Sequence, residues 1–158
     1  MSSSHYSAAC VRPGVTKFER FFRTVAGLNV DKQDLRRYSD FVNHKIDDLL
    51  IRARATAKAN GRDIIDPHDL PITKGLQECI HAFAKLDVDI QLNTLLDRIT
   101  PRPPLDLALK DETEARLPLI SGGLSVALAR AFKLIDPIVK TPATDDWERA
   151  FQIFDLLL

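Results

Sequence analysis

The chain has 158 residues, of which 45% are hydrophobic and 28% are charged, as expected for one soluble globular domain or two small ones that share a core. Its 22 basic and 22 acidic residues balance, which argues against a protein that coats DNA through a generally basic surface. No apolar run approaches the roughly 20 residues needed to cross a bilayer, and the N-terminus lacks the pattern of a secretory signal. We therefore expect no membrane association and a cytoplasmic location.

The charge is unevenly distributed along the chain. Residues 1–86 contain 14 Lys and Arg against 10 Asp and Glu, and residues 87–158 contain 8 against 12, so the halves carry +4 and −4. This asymmetry permits one modestly basic surface, and it equally suits head-to-tail association of a positive half with a negative half. It is also compatible with no functional consequence.

The first predicted helix follows a flexible tail. Residues 1–15 are rich in serine and end in Pro13-Gly14, a pattern typical of a loose terminus. Thr16 is placed to cap a helix over Lys17–Ala26, with Glu19 three residues later completing a capping box. The apolar residues of this helix fall on one face, which indicates that it packs against a core.

The longest predicted element is a helix over Lys32–Asn60. Asp31 is its expected N-cap, and Asn60-Gly61 is expected to end it, because glycine adopts the left-handed conformation that closes a last helical turn. Its length of roughly 43 Å carries an apolar stripe that another part of the protein must cover. The stripe follows helical spacing and consists of Leu35, Tyr38, Val42, Ile46, Leu49, Ala53 and Ala57.

A third helix and a weaker repeat of the same order follow. Asp66-Pro67 is predicted to start the third helix, which is expected to run to about Ala84. In the second half, helices are predicted over Val88–Ile99 and Lys110–Ile135, with a proline-rich break over 100–104 and an extended link over 105–107 between them. A final helix, capped by Asp145 or Asp146, places its aromatic residues on one face: Trp147, Phe151 and Phe154.

The second long helix contains residues that are poor helix formers. Pro118 is expected to bend the helix or limit its early turns, and Gly122-Gly123 would let another helix backbone approach closely. A crossing of the two long helices near Gly122 would explain these glycines. The alternative is a helix that begins only after them.

Two segments resemble archaeal histones. Arg20-Phe21-Phe22-Arg23, followed by Ala26-Gly27, resembles their first helix, and Gly61–Leu70 resembles their second loop and third-helix start. From about residue 16 the whole chain is similar to a small uncharacterised bacterial family in which two histone folds are fused in one polypeptide. The segments that carry this resemblance are AKANGRDIIDPHDLP, RPPLDLAL, GGLSVALARAF and WERAFQIFDLLL.

The resemblance implies an all-α protein in which two tandem histone folds pack as an intramolecular handshake pseudodimer. The first fold would span residues 16–86 and the second, more divergent fold residues 87–158, with one shared core. Each half would bury the apolar stripe of the other. Because fusion makes this dimer intramolecular, its assembly would not depend on protein concentration.

The resemblance also implies roles for individual residues. In histones the arginine after the second-loop glycine pairs with an aspartate seven positions later, and Arg62 and Asp69 have this spacing, so we expect a structural ion pair. Histones contact DNA through their first helices and paired loops, which makes Lys17, Arg20 and Arg23 candidate phosphate contacts. The alternative is that these three are solvated helix charges.

The loops depart from DNA-binding histones. The first loop, Leu28-Asn29-Val30, lacks their arginine, and Ile64 stands where their second loop usually has threonine. The corresponding links of the second half, around Asp106 and over Ile138–Lys140, have little basic character. These differences argue against DNA wrapping of the nucleosome kind.

No residue pattern indicates an enzyme, a metal site or a cofactor. His68 lies beside Asp66 and Asp69, but a helix cap and the ion pair account for these acids. Ser121-Gly122-Gly123 has no preceding strand or Walker lysine. Cys10 and Cys79 show no metal-binding spacing. No small-molecule substrate is indicated either.

Two functions from different classes remain. The first is a non-enzymatic protein-interaction module, a histone-fold pseudodimer that binds a protein partner or a second copy of itself. The second is a weak or bending DNA-binding protein of the nucleoid, which would use the positive half of the chain. The neutral total charge and the missing loop arginines favour the first.

Overall fold

The computed structural model describes residues 13–100 and 108–158, in which six helices flank a minimal two-stranded sheet. The expected all-helical class is confirmed. Expectations for residues 1–12 and for the break and link within 101–107 lie outside the described residues. The elements are α1 (Pro13–Ala26), α2 (Lys32–Ala59), β1 (Ile64–Ile65), a 3₁₀ turn (Pro67–Asp69), α3 (Lys74–Ile90), α4 (Asn93–Ile99), β2 (Ala108–Leu109), α5 (Asp111–Ile135) and α6 (Thr144–Leu157).

Helix α2 forms as the sequence predicts. Asp31 caps it through a carboxylate oxygen that accepts from Gln33 N at 2.8 Å and Asp34 N at 3.1 Å. At the other end Gly61 has φ +71°, the left-handed conformation that favours glycine. Every member of the predicted apolar stripe is buried except Leu35, which is half-buried.

The ends of α1 and α6 differ from the prediction. Helix α1 begins at Pro13, because proline in the first helical turn loses no hydrogen bond. Thr16 therefore lies inside the helix and is not its N-cap. Helix α6 begins at Thr144 with Ala143 at the N-cap position. Asp146 contributes from inside the helix, where its carboxylate accepts from Ala143 N at 2.8 Å.

The third helix begins later than predicted. Asp66-Pro67 opens only a 3₁₀ turn, since Pro71 disfavours helical geometry at the residue before it and offers no N–H. The α-helix starts at Lys74, where the Thr73 hydroxyl accepts from Leu76 N at 3.2 Å. It then runs to Ile90 without a break at residues 86 and 87, where the sequence placed the boundary between halves.

The links pair between the halves of the chain. Strand β1 follows α2 and runs parallel to β2, which precedes α5, with Ile64 opposite Ala108 and Ile65 opposite Leu109. The other two links also meet, through one backbone hydrogen bond that Asn29 N donates to Lys140 O at 2.7 Å. Each half therefore contributes one link to each pairing.

The third helix of each half contacts the long helix of the other half, and α6 packs against its own long helix as well. Helix α3 makes its main contact with α5. On the opposite side α6 lies along α2, where the Phe41 ring lies 5.3 Å from that of Phe151 and 5.0 Å from that of Phe154. The core is thus shared, and neither half buries its own apolar surface alone.

The glycines of α5 face α3 and not the other long helix. A Cβ on Gly122 would overlap the Phe83 ring, and one on Gly123 would lie 3.0 Å from the backbone nitrogen of Ile80. The predicted explanation of these glycines by a crossing of the long helices is therefore wrong, because it is α3 that approaches them. The two long helices meet nearby, where the Tyr38 hydroxyl and the Ser125 hydroxyl lie 2.5 Å apart in the core.

Helix α5 is one continuous element from Asp111 to Ile135 with Pro118 inside it, so the alternative start after the glycines is excluded. By length and composition alone it is apolar enough to cross a membrane. Core helices of soluble proteins meet the same criterion, and 56% of its most apolar window is buried in the fold. The C-terminal part of α5 is less buried than its middle, since Ala127, Ala131 and Ile135 are half-buried.

Candidate functional site

Arg62 and Asp69 form a bidentate ion pair just after the C-terminal end of α2. The Nη1 and Nη2 atoms of Arg62 donate to the two carboxylate oxygens of Asp69 at 2.6 and 2.7 Å. Asp69 is 4% exposed and also accepts from Asp66 N at 2.8 Å. The guanidinium lowers the pKa of Asp69 to about 2, so the carboxylate is ionised at neutral pH.

The second half of the chain joins this ion pair. Asp66 accepts from Arg62 Nη1 at 2.8 Å and pairs with Lys110, the residue that follows β2. The neighbouring Asp66 raises the pKa of Lys110. Beside this cluster Thr113 donates to Ile65 O at 2.8 Å. These charges are engaged with one another, and through Lys110 they join the loop after β1 to the residue after β2.

The three candidate phosphate contacts on α1 have different surroundings. Lys17 turns toward α4, where its ammonium donates to the Thr94 hydroxyl at 3.0 Å. Arg20 and Arg23 are exposed and lie away from the buried face of α1. The structure therefore places two cations on one solvent-facing strip, spaced three residues apart on the helix, and directs the third to a neighbouring helix.

A buried lysine links α2 to α6, and the sequence-based predictions missed it. Lys45 is 2% exposed, and its ammonium lies 2.5 Å from an oxygen of Asp155 and 3.2 Å from one of Asp48. It lowers the pKa of Asp155. The sequence did contain one signal for the burial of Lys45, because residue 45 lies on the same face of the helix as the apolar stripe.

Three ligand-type side chains surround this lysine. The imidazole of His44 and the carboxylates of Asp48 and Asp155 have donor atoms within 4.8 Å of one another. The ammonium of Lys45 already pairs with both carboxylates. The cluster is therefore explained as an ion-pair network between two helices, and it gives no reason to assign a metal.

The last turn of α6 presents a group of exposed apolar side chains, which we call the apolar tip: Ile153, Leu156 and Leu157. They are 40%, 83% and 72% exposed. Their spacing of three and four residues puts them on one side of the helix. Contiguous exposed apolar surface of this kind is typical of protein-interaction sites.

Comparison with known proteins assigns the chain to a family. Residues 18–155 match the model of a domain of unknown function, DUF1931. The chain belongs to this family. The expected membership in an uncharacterised bacterial family is thereby confirmed.

Relatives cover nearly the whole chain. An uncharacterized protein of Aquifex aeolicus (strain VF5) is 30% identical over 146 residues, which are 92% of this chain and 85% of that protein. A crystal structure from Thermus thermophilus is 49% identical with a TM-score of 0.80, and covers 91% of this chain and 97% of its own. The 1.9 Å crystal structure of protein AQ328 from Aquifex aeolicus is 29% identical with a TM-score of 0.82, and covers 94% and 99%.

The DUF1931 match spans both halves of the molecule. It begins inside α1 and ends inside α6, so it includes both pairs of links and both long helices. The unit that defines the family therefore includes both halves of the chain.

Proposed function

We propose that this DUF1931 protein is a non-enzymatic, cytoplasmic protein-interaction module built as a histone-fold pseudodimer. The crosswise packing of the halves supports the architecture. Two sets of short, long and short helices pack across each other, with α3 on α5 and α6 in contact with both long helices, and they pair their links reciprocally, as expected when two interdependent folds are fused. The ion pair of Arg62 and Asp69, at the spacing known from archaeal histones, supports the same relationship.

The apolar tip is the observation that supports an interaction function. Leu156 and Leu157 are 83% and 72% exposed, although the same helix buries Trp147 and Phe154. Isolated exposed leucines are common on soluble proteins, but three large apolar side chains on one turn form a patch that another protein can cover. The partner would be a protein, and the proposal includes no cofactor and no small-molecule substrate.

Protein capture and hydrodynamics test this function together. The tagged full-length chain is cross-linked in lysate of the organism that encodes it, and the purified chain is followed by sedimentation velocity over a range of concentrations. We expect either a specific protein partner or concentration-dependent self-association. A strictly monomeric chain that also captures no protein would refute the interaction function.

A second candidate function is weak DNA binding through α1. It is favoured by the exposure of Arg20 and Arg23 on one strip of the helix, for which the described residues provide no acidic partner at ion-pair distance. Arginines in this setting can contact phosphates without reading sequence. Their small number predicts low affinity that is lost as salt is added, because binding is driven by the release of counterions from the phosphates.

A mobility-shift titration separates this candidate from the first. The chain is titrated onto a duplex of about 60 bp, long enough for wrapping or bending, from low to physiological salt. Salt-sensitive binding that disappears in Arg20→Ala/Arg23→Ala and persists in Arg116→Ala/Arg149→Ala, a matched pair of exposed arginines on α5 and α6, would support it. No shift at low salt would exclude it.

A further inference from the structure

The turn between α3 and α4 depends on the backbone of a single residue. Helix α3 ends at Ile90. Leu92 already has helical geometry, with φ −66° and ψ −21°, and its carbonyl accepts from the backbone N–H of Leu96 at 3.0 Å, as in a helical turn. Gln91 lies between them with φ 55° and ψ 41°. We call Gln91 the hinge, because it alone turns the chain from one helix into the next.

The conformation of the hinge is unfavourable for its residue type. Of the residues that the structure describes, Gln91 is the one non-glycine residue with a positive φ. This left-handed conformation brings Cβ too close to the following carbonyl oxygen, and glycine alone adopts it routinely. Glutamine is in addition a good helix former. A right-handed helical backbone at the hinge would relieve the strain and join α3 and α4 into one helix over 74–99.

The hydrogen bonds of the turn have equivalents in a straight helix. The carboxylate of Asp87 accepts from Asn93 N at 3.2 Å, and the Thr94 hydroxyl donates to the carbonyl of Gln91 at 3.1 Å. In a continuous helix Asn93 N would donate to Asp89 O instead, and the carbonyl of Gln91 would accept from a backbone N–H one turn later. Straightening therefore costs no net backbone hydrogen bond.

A straight hinge would, however, remove α4 from its place in the same chain. Helix α4 packs among α1, α2 and α5. Its inward side chains are Leu92, Leu95 and Leu96, which are at most 5% exposed. The helix cannot both continue α3 along one axis and occupy this place beside its own α1 and α2. Straightening leaves an apolar gap in the core, and the segment that matches this gap is α4 of a second copy.

We propose that two copies of this protein exchange the helices that follow the hinge, so that α4, α5 and α6 of each copy complete the core of the other. This inference rests on the proposed interaction function and names its partner as a second copy of the chain. The contacts between the exchanged helices and the rest of the fold are remade, since the same residues meet again. The helices move together, because only the backbone of the hinge then changes.

The strain at two hinges sets the expected strength of the dimer. In the monomer the same contacts are intramolecular, which for a short connection corresponds to an effective concentration in the millimolar range. Release from the left-handed conformation favours the exchanged form by about tenfold at each hinge. The two hinges together predict a dissociation constant on the order of ten micromolar. Because the shared core must open first, monomer and dimer are expected to interconvert slowly.

Substitutions at the hinge test the source of the association. The full chain is incubated near its urea midpoint to permit exchange, returned to buffer, and separated by size-exclusion chromatography over a range of protein concentrations. Gln91→Gly is expected to weaken dimerisation by about a hundredfold, because glycine adopts the left-handed conformation without penalty at both hinges. Gln91→Ala keeps the Cβ and favours the helix, so it is expected to strengthen dimerisation.

The matched control is Asp89→Gly, at an exposed position of α3 two residues before the hinge. Residue 89 is helical in both forms, so glycine there weakens the monomer and the dimer equally. This variant should dimerise like the unmodified chain. Far-ultraviolet circular dichroism confirms that each variant is folded.

Cross-linking shows whether the helices are exchanged. Lys110 lies after the hinge, and its ammonium pairs with the carboxylate of Asp66, which lies before it. A carbodiimide joins such a pair by an amide bond. In dimers that contain one unlabelled and one isotopically labelled chain, the joined peptides are expected to carry one label of each kind, because the two residues come from different copies. The monomer fraction should give peptides of uniform label.

Three results would each overturn the inference: a chain that stays monomeric under these conditions, a Gln91→Gly variant that dimerises as tightly as the unmodified chain, or joined peptides of uniform label in the mixed dimer. The interaction function is decided separately. It stands if the tagged chain captures a specific protein or if copies associate without exchange, and it fails only when neither occurs.

Discussion

At the scale of single residues, the ionised carboxylate of Asp69 is held in place by several hydrogen bonds and contributes to the stability of the fold. It is almost completely buried and accepts three hydrogen bonds, two of them from Arg62. Its pKa is about 2, below its ordinary value of 3.8. The carboxylate therefore stabilises the folded state above about pH 4, and this stabilisation is lost as the pH falls toward 2.

Replacement of Asp69 by Asn is expected to lower the free energy of unfolding by about 2 kcal/mol at pH 7, because hydrogen bonds to a buried charge are lost. Urea denaturation of both proteins from pH 7 to pH 2 measures the difference, which should shrink below about pH 4. The control is Asp63→Asn, an exposed acid in the same loop, which should leave stability nearly unchanged. A difference that persists undiminished at pH 2 would rule out the charge as its cause.

At the scale of elements, the closest helix contact is that of α3 with α5. Gly122 and Gly123 give α5 a flat surface on which Phe83 and Ile80 rest. Glycine costs helix stability when it lies in a helix interior, so its use here is explained by the close approach of the neighbouring helix. The approach joins the two halves of the chain.

Gly122→Ala is expected to destabilise the protein by about 1–3 kcal/mol, because the new methyl group would overlap the Phe83 ring and force the helices apart. Thermal or urea unfolding measures this loss. Gly75→Ala is the matched control, since a Cβ at that position meets nothing within 4 Å. It should be neutral or stabilising by up to about 1 kcal/mol. Equal effects of the two substitutions would contradict the packing explanation.

Local signals predicted elements well when capping and periodicity agreed. The bounds of α2 follow from Asp31 at one end and Gly61 at the other, and the start of α5 differs from its prediction by one residue. The predicted start of α3 was wrong. Asp66-Pro67 is a strong helix-start signal, but Pro71 and the cap at Thr73 delay the α-helix beyond this point. Competing local signals of this kind are decided by tertiary packing.

Contacts between elements were much less predictable. Periodicity shows which face of a helix is buried, but it does not show which helix covers that face. For this reason the partner of Gly122 was assigned to the wrong helix. The ion-pair partners of Lys45 and Lys110 lie more than 40 residues away in sequence, and no local pattern identifies those partners.

At the scale of the whole molecule, the shared core predicts one cooperative unfolding transition. Trp147, the one tryptophan in the sequence, belongs to the second half, yet its ring lies 6.2 Å from Phe22 of the first half and 4.9 Å from Phe132 of its own. Its fluorescence therefore reports on packing between the halves. A change in the packing of either half should therefore alter the fluorescence of Trp147.

In urea, the midpoint followed by tryptophan fluorescence is expected to coincide with the midpoint followed by far-ultraviolet circular dichroism, because neither half retains a core once the other unfolds. The experiment is performed in dilute solution so that association between copies does not contribute. Scanning calorimetry is an independent check and should give a single peak. Two separated midpoints would show that the halves fold independently.

The unbroken passage of α3 into the second half has an evolutionary consequence. In a dimer of identical chains every substitution occurs twice, so the two faces of the molecule must remain alike. A continuous polypeptide removes this constraint, and each half can diverge while the other preserves the joint core. The opposite net charges of the halves are a difference that a dimer of identical chains could not accumulate. Mutational scans should accordingly find different tolerances at equivalent positions of the two halves.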